Sequence, residues 1–271
     1  MKYTGVLKKM ITEIGSPVQY YLDMGEDLLI MNQLLDKKLT IRFEKYQCLN
    51  CGEDKKIFRQ GFCYDCFYKM PQAGDWVMKP ELSKAHLGIE DRDLEFEKEL
   101  QLQPHVLYLA NSSDVKVGVT RKSQIPTRWI DQGAHEAIEI VEVPNRYLAG
   151  IAEVALKDHV SDKTNWRKML TNDIVDLDLN AEKERLFPFL PEEIKPYYSE
   201  FKSKEIEIEF PVLQYPVKIN SLNLDKIQNY QGILKGIKGQ YLLFEDGTVF
   251  NVRNYEGYVV GVEVSNIKIK V

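Results

Sequence analysis

The stretch HVLYLANSSDVKVGVTRKSQIPTRWIDQGA, His105–Ala134, contains the pattern that best predicts the fold of the central part of this chain. Its runs HVLYLA and VKVGVT are β-prone and are joined by a polar NSSD turn, so they predict a hairpin. The following SQIPTRWIDQGA predicts a helix that carries Arg128, IEIVEVP a third strand, and NRYLAGIAEVALKDHV a second helix that carries Glu153. Asn165 lies twelve residues further on. Residues 105–170 therefore form a predicted domain of alternating strands and helices.

Five further segments flank this domain in the linear sequence. They are an N-terminal β unit (1–47), a cysteine-rich module (48–75), a connector (76–104), a helical connector (171–204) and a C-terminal β unit (205–271). The β units hold strand patterns such as KLTIRFE, EIEIEFPVLQY and the hairpin LLFEDGTVFNV, and the connectors hold the helical patterns DLEFEKELQL, AEKERLFPFL and PEEIKPYYSEF. We therefore predict an α+β fold. The similar runs YTGVLKKM and YQGILKGI indicate either two related β units or a common way of starting a strand.

All four cysteines lie in two CxxC pairs, Cys48 with Cys51 and Cys63 with Cys66, separated by eleven residues. A tetrahedral zinc ion takes four thiolates, and each CxxC turn presents two. The intervening KKIFRQGF predicts a hairpin and CYDCFYKM the start of a helix, a layout that resembles a treble-clef zinc finger. We expect a structural zinc ion here, because a redox site needs one CxxC in a βαβ context rather than two matched pairs.

Aromatic residues crowd the second CxxC pair. Tyr64, Phe67 and Tyr68 are types that stack on nucleic-acid bases, but we expect them to fill the small core of the module.

The composition is that of an ordinary globular protein, with a net charge of −5 and a pI near 5.6. A general nucleic-acid binder would be basic, so any such contact needs a local positive face. The central stretch supplies one, since it holds the four basic residues Lys116, Arg121, Lys122 and Arg128 against two acidic residues. No apolar run approaches the ~20 residues that span a bilayer, and the N-terminus has no signal-peptide core, so we expect a cytoplasmic protein without a membrane partner.

The order of residues in the central domain resembles the GIY-YIG endonuclease superfamily. Val106-Leu107-Tyr108 stands at the GIY position and Lys116-Val117-Gly118 at the YIG position, followed by Thr120. Arg128 matches the helical arginine of that superfamily, Glu153 its single metal-binding carboxylate and Asn165 its late asparagine. The resemblance covers about Pro104 to Leu170, a quarter of the chain.

The resemblance implies a one-metal phosphodiesterase. Glu153 would bind Mg²⁺ or Mn²⁺, which stabilises the leaving oxygen, and Arg128 would stabilise the charge that grows on the phosphate. Tyr108 would orient or deprotonate the attacking water, and Asn165 would hold the site by hydrogen bonding. Arg121 and Lys122, with Arg128, would bind the nucleic-acid backbone.

Lys116 departs from the superfamily, because a tyrosine is expected at this position. A desolvated lysine could serve as the base, or it could be a phosphate-binding cation. Each of the matching residues also has an ordinary role when taken alone: Tyr108 as a strand residue, Glu153 and Arg128 as solvated helix residues, Asn165 as a helix cap. His105 and His135 lie near the same segment, and we expect structural roles for them.

Three functions remain open at this point. Over its whole length the chain resembles an uncharacterised bacterial family, grouped as a domain of unknown function, that joins a cysteine-rich module to the segment KVGVTR…RWIDQGA. The first hypothesis is a zinc-containing, metal-dependent endonuclease acting on DNA or RNA. The second is a non-catalytic nucleic-acid-binding protein, associated with RNA or the ribosome, and the third is a protein-interaction scaffold.

Overall fold

Residues 1–160, 165–200 and 204–265 are described by the computed structural model of this chain. They form two units. Unit 1 comprises residues 1–68, 170–172 and 209–271, and unit 2 comprises residues 69–169 and 173–208. The N-terminal and C-terminal segments of the chain thus both contribute to unit 1.

The strands of the described residues are β1 (Lys2–Val6), β2 (Ile11–Glu13), β3 (Gln19–Asp23), β4 (Leu28–Ile30), β5 (Lys38–Tyr46), β6 (Ile57–Arg59), β7 (Phe62–Cys63), β8 (His105–Asn111), β9 (Val115–Arg121), β10 (Glu136–Val143), β11 (Ile206–Glu207), β12 (Asn220–Ser221), β13 (Asn229–Lys238), β14 (Tyr241–Phe244), β15 (Thr248–Asn251) and β16 (Tyr258–Ser265). The α-helices are α1 (Tyr64–Lys69), α2 (Asp75–Met78), α3 (Leu94–Gln101), α4 (Thr127–Asp131), α5 (Arg146–Leu156), α6 (Trp166–Thr171), α7 (Leu179–Leu186) and α8 (Lys195–Glu200). The chain is thus a mixed α/β protein with many strands. Within the described residues, no helix is both long enough and apolar enough to cross a bilayer.

Unit 1 is built on a seven-stranded sheet in the order β1-β16-β5-β13-β14-β15-β12. β16 pairs antiparallel with both β1 and β5, so the first and last described strands of the chain are direct neighbours. A second, three-stranded sheet contains β2, β3 and β4. Apolar side chains of both sheets, such as Leu22 and Leu39, are buried in this unit.

Residues 48–68 of the cysteine-rich module belong to unit 1, and the module contains the elements that its sequence predicts. β6 and β7 form the hairpin, and α1 follows directly. Gln60 and Gly61 connect the two strands with φ angles of +52° and +77°, as in the tight turns that suit hairpin twist.

Unit 2 is built on a four-stranded antiparallel sheet in the order β11-β10-β8-β9. The predicted hairpin is β8–β9, in which Tyr108 lies opposite Gly118. One face of this hairpin packs against α5, α7 and the segment 190–194, through the buried side chains of Leu107, Leu109, Val117, Ala149, Ala152, Leu156, Leu179, Leu186, Leu190 and Ile194.

Two predicted elements are shorter than expected. The run SQIPTRWIDQGA forms a helix only over α4, because Pro126 keeps Ile125 extended and Gly133 adopts a φ of +69° that ends the helical segment. The alternating run EIEIEFPVLQY was predicted to form a strand, but only its residues Ile206 and Glu207 do so, as β11. Pro211 has no backbone N–H to donate to a neighbouring strand.

Candidate functional site

The four cysteines of the module come together as the spacing predicts. Their sulfur atoms all lie within 4.8 Å of one another. Cys48 follows β5, Cys63 ends β7 and Cys66 lies in α1, and these three side chains are buried whereas Cys51 is exposed. Four thiol groups at this separation can hold one metal ion such as zinc.

Hydrogen bonds to sulfur favour the thiolate form of Cys48, whereas burial and the neighbouring thiol groups raise the pKa values of Cys51 and Cys63. The backbone N–H of Cys63 donates to Cys48 Sγ at 3.3 Å, and Asn50 Nδ2 donates to Cys66 Sγ at 3.3 Å. Burial raises the pKa of the Cys48 thiol, but the N–H groups of Cys63, Cys51 and Asn50 outweigh it and lower that pKa to about 6. The donor set therefore suits a soft or borderline cation rather than Mg²⁺ or Mn²⁺, which prefer oxygen ligands.

A second site lies in unit 2, where three arginines gather. Arg121 ends β9, Arg128 lies in α4 and Arg146 begins α5; we call these three residues the arginine cluster. Burial lowers the pKa of the Arg146 guanidinium to about 10; Glu153 opposes this shift, whereas the positive charges of Arg128 and Arg121 add to it. The structure thus brings Arg128 and Glu153 within electrostatic range of the same guanidinium group.

Backbone carbonyls hold Arg146 in place. Its Nε donates to Trp76 O at 3.1 Å, its Nη2 donates to Val77 O at 2.8 Å, and its guanidinium carbon lies 5.6 Å from the centroid of the Trp76 ring. Arg146 is therefore a fixed, half-buried cation.

The other two arginines have no such partners. Arg121 and Arg128 are half-buried, and the side chain of neither forms a hydrogen bond or an ion pair with any residue that the structure describes. Their charges are uncompensated beside Arg146, an arrangement suited to binding an anion.

Glu153 is a half-buried carboxylate beside this cluster, with 13% of its side chain exposed. Burial raises the pKa of its carboxyl group, and Glu81 raises it further, while Lys157 and Arg146 lower it. Glu153 Oε2 lies 3.7 Å from Lys157 Nζ. The charge of Glu153 is therefore already partly compensated by protein cations.

Glu81 reaches the cluster on a 3-10 turn, Pro80–Leu82, that packs on α5. The contact occurs at Gly150, where a Cβ atom would collide with the backbone of Pro80 and Glu81. Glu81 Oε2 is buried and has no hydrogen-bond partner among the described residues. Glu81 and Arg146 are not among the residues predicted from sequence, although the adjacent small residues Ala149 and Gly150 indicate a close approach on this helix.

His105 also lies beside the cluster. Its ring is fully buried, with Nδ1 bonded to Gln103 O at 2.7 Å and Nε2 without a partner in the described part of the chain. Burial lowers the pKa of His105 to about 4, and Arg146 and Arg121 lower it as well. At neutral pH the ring is uncharged and offers one free acceptor nitrogen.

Tyr108 and Lys116 lie on the opposite face of the hairpin from Leu107 and Val117, which pack toward α5. Tyr108 is 1% exposed, its Oη accepts a hydrogen bond from Gln132 Nε2 at 2.6 Å, and its ring meets the edge of Trp129. A Cβ on Gly118 would lie 2.6 Å from this hydroxyl, so the glycine makes room for Tyr108 itself. Lys116 is buried too, at 8% exposure.

The remaining predicted residues have local partners. Asn165 caps α6, since its Oδ1 accepts from the Lys168 backbone N–H at 3.3 Å. Lys122 Nζ pairs with Glu139 at 2.7 Å and Glu142 at 3.3 Å, so acidic neighbours compensate its charge. Of the residues predicted from sequence, the structure therefore gathers Arg121, Arg128 and Glu153 around Arg146.

Comparison with known proteins adds one match. Residues 36–260 match the family described as "Protein of unknown function (DUF2797)". This match covers most of the chain and parts of both units. No curated protein matches the sequence, and no solved structure matches the fold.

Proposed function

The chain belongs to the DUF2797 family, and we propose that it is a nucleic-acid-processing protein whose unit 2, a GIY-YIG-like domain, binds the phosphodiester backbone at the arginine cluster. One observation carries the proposal: Arg121 and Arg128 are half-buried cations without partners among the described residues, next to the fixed Arg146. Three like charges repel one another, and a phosphate between them would offset that repulsion while accepting forked hydrogen bonds.

We also propose that Cys48, Cys51, Cys63 and Cys66 bind one structural zinc ion in a treble-clef arrangement. The proximity of the four sulfur atoms and the N–H donors that face Cys48 support this assignment. Four cysteine ligands leave no open coordination position, so the ion would stabilise the module and take no part in chemistry.

Metal-dependent phosphodiester hydrolysis is the catalytic form of this proposal. Glu153 would hold the Mg²⁺ or Mn²⁺ ion, which supplies a positive charge at the leaving oxygen. Arg128 would hold the non-bridging phosphate oxygens, and His105 would remain neutral beside them. A single carboxylate oxygen fits as a hard ligand, although the cation must compete with Lys157 for it.

Binding without hydrolysis is the alternative, and the position of Tyr108 favours it. The hydroxyl group of Tyr108 is buried and engaged by Gln132, so it is not open to an attacking water in this conformation. The geometry supports phosphate binding more directly than it supports cleavage.

Labelled DNA and RNA, single- and double-stranded, test the proposal. The variant Arg121→Gln/Arg128→Gln should lose affinity by tenfold or more and lower the salt dependence by about two counterions, roughly one per phosphate contact. Lys122→Gln is the matched control, because its charge is already compensated by Glu139 and Glu142. Equal binding by the double variant and the wild type would contradict the arginine cluster as the site.

Incubation with Mg²⁺ or Mn²⁺ separates the two forms of the proposal. Cleavage by the wild type that Glu153→Gln abolishes, with binding retained, supports hydrolysis. Binding without cleavage in both proteins supports the alternative. Absence of binding, with a protein partner captured independently of salt, would favour the scaffold function instead.

A further inference from the structure

Four aromatic rings of the cysteine-rich module form one cluster. Phe58 of β6 lies 5.2 Å from both Tyr64 and Phe67 of α1, between ring centroids, and Tyr68 lies 4.9 Å from Tyr64. We call Phe58, Tyr64, Phe67 and Tyr68 the aromatic surface. All four residues belong to unit 1.

The aromatic surface faces solvent, contrary to the expectation that these rings fill a small core. Phe58 is 41% exposed, Tyr64 60% and Tyr68 54%, while Phe67 is half-buried beneath them. Single exposed apolar residues need no explanation, but three contiguous rings in water are unfavourable and typically mark a binding surface. Their arrangement presents π faces and edges to a ligand.

Uncompensated positive charge adjoins these rings. The guanidinium carbon of Arg59 lies 5.4 Å from the centroid of Phe58. Arg59 and Arg253 are exposed, and the side chain of neither forms a hydrogen bond or ion pair with a residue in the described ranges. Both arginines could therefore contact an anionic ligand that lies on the aromatic surface.

An open groove of about 370 Å³ connects the two arginines. Its walls include Phe58, Arg59, Gln60, Arg253 and Asn254, together with the acidic Glu256, whose Oε1 accepts a hydrogen bond from the Lys9 backbone N–H at 3.1 Å. The side-chain amides of Gln60 and Asn254 can donate and accept hydrogen bonds, and the groove is large enough for a nucleotide. Rings, cations and amides thus occur together on one side of unit 1.

We propose that the aromatic surface and this groove bind single-stranded nucleic acid, with bases stacked on Tyr64, Tyr68 and Phe58. Arg59 and Arg253 would contact the backbone phosphates. The combination of stacking rings with unpaired cations is the one that single-strand-binding proteins use, and it tolerates any base sequence. This inference rests on the proposed nucleic-acid function but places a second contact in a different unit from the arginine cluster.

The test compares full-length variants by fluorescence anisotropy on dT15, rU15 and a base-free oligonucleotide of equal length. Tyr64→Ser/Tyr68→Ser should weaken binding to dT15 and rU15 by about tenfold or more, since one stacked base contributes ~1–3 kcal/mol. Tyr64→Phe/Tyr68→Phe should bind like the wild type, because the rings remain. Phe189→Ser in unit 2, also 41% exposed, is the matched control.

The base-free oligonucleotide isolates stacking from charge. The wild type and the serine variant should bind it equally, and zinc content should be equal in all variants. Unchanged affinity of the serine variant for dT15 and rU15 would overturn this proposal. If affinity then still depended on Arg121 and Arg128, the proposed function would stand. Loss of binding in the phenylalanine variant, or tyrosine-dependent self-association without oligonucleotide binding, would also overturn it.

Discussion

At the scale of single residues, Lys238 is fully buried, although lysine side chains are usually exposed. It lies at the end of β13 with 0% exposure, and its Nζ donates to Asn172 Oδ1 at 3.2 Å. The same nitrogen lies 5.5 Å from the Phe210 ring and 5.4 Å from the Tyr215 ring. Burial lowers the pKa of Lys238 from 10.5 to about 8.

We expect Lys238→Met to raise the free energy of unfolding near pH 7, by roughly 3 kcal/mol at most if packing is kept. The pKa is lower in the folded than in the unfolded state, so the full cost of charging applies below pH 8. That cost disappears as the pH rises from about 8 to 10.5. Urea unfolding followed by circular dichroism at pH 7, 9 and 10 measures the free energy of unfolding. The difference in this free energy between the variant and the wild type should decrease as the pH rises.

Lys235→Met is the control for this prediction. Lys235 lies on the same strand but pairs with Asp36 at 2.8 Å and Glu245 at 3.2 Å, and these partners raise its pKa. The effect of Lys235→Met on the free energy of unfolding should not decrease between pH 7 and 9. If the difference in free energy of unfolding between Lys238→Met and the wild type is the same at every pH, the pKa of Lys238 is not lowered in the folded protein.

At the scale of elements, a single carboxylate organises the start of α3. Glu97 is buried and accepts hydrogen bonds from three consecutive backbone N–H groups, those of Asp91 at 3.0 Å, Arg92 at 2.7 Å and Asp93 at 3.1 Å. These donors precede the helix and have no intrahelical acceptors of their own. The acidic side chain therefore fixes the entry of the chain into the helix.

Glu97→Ala should destabilise unit 2 by about 3 kcal/mol, because three part-buried backbone N–H groups lose one charged acceptor. Glu99→Ala, on an exposed position of the same helix, should stay within about 0.5 kcal/mol of wild type. Urea unfolding monitored by tryptophan fluorescence measures both. Equal effects of the two substitutions would contradict the role given to Glu97.

The contact of Pro80–Leu82 with α5 yields a second prediction at this scale. Gly150→Ala would add about 1 kcal/mol of helix propensity in isolation. Here we expect a net destabilisation of about 1–3 kcal/mol, because the new Cβ displaces the backbone of Pro80 and Glu81. Thermal unfolding and the fluorescence of nearby Trp76 report the change.

Val154→Ala serves as the reference substitution on the same helix, since Val154 is 44% exposed. It should change stability by about 0.5 kcal/mol or less. A stabilised Gly150→Ala protein would show that the 3-10 turn can move away without cost.

At the scale of the whole molecule, the two units offer separate spectroscopic signals. All three tryptophans, Trp76, Trp129 and Trp166, belong to unit 2, whereas the four cysteines belong to unit 1. Removal of the proposed zinc with a chelator should lower the thermal stability of unit 1, seen by circular dichroism, and leave tryptophan fluorescence unchanged.

Chelator saturated with zinc beforehand is the control for metal removal. The expected stoichiometry is one zinc ion per chain after purification without chelators. A metal-free protein with unchanged stability would refute the zinc site. A simultaneous change in tryptophan fluorescence would show that the units do not unfold independently.

Local patterns predicted most of the elements that position the candidate sites. The hairpin β8–β9, the helix α5 and the cysteine knuckles follow from alternation, turn residues and spacing that act over a few neighbouring residues. The run of alternating residues 205–215 forms a strand only over Ile206–Glu207, because it passes from unit 2 into unit 1 between residues 208 and 209, which alternation does not reveal. The helix around Arg128 was predicted but is shorter, since Pro126 and Gly133 limit it.

The pattern of residues along the chain was enough to predict the pairing of the four cysteines, the order of strands and helices in the centre, and Arg121, Arg128 and Glu153 as candidates. The tertiary structure was needed to show that Arg146 and Glu81 lie beside these candidates. It was also needed to show that Tyr108 is buried against Gln132 and that the aromatic surface is exposed. It also joined the two ends of the chain in one sheet. This difference arises because the burial and ion pairing of a side chain depend on residues that are distant in the chain. Hydrogen-bonding patterns of helices and turns, and the spacing of metal ligands, depend on residues that are close in the chain.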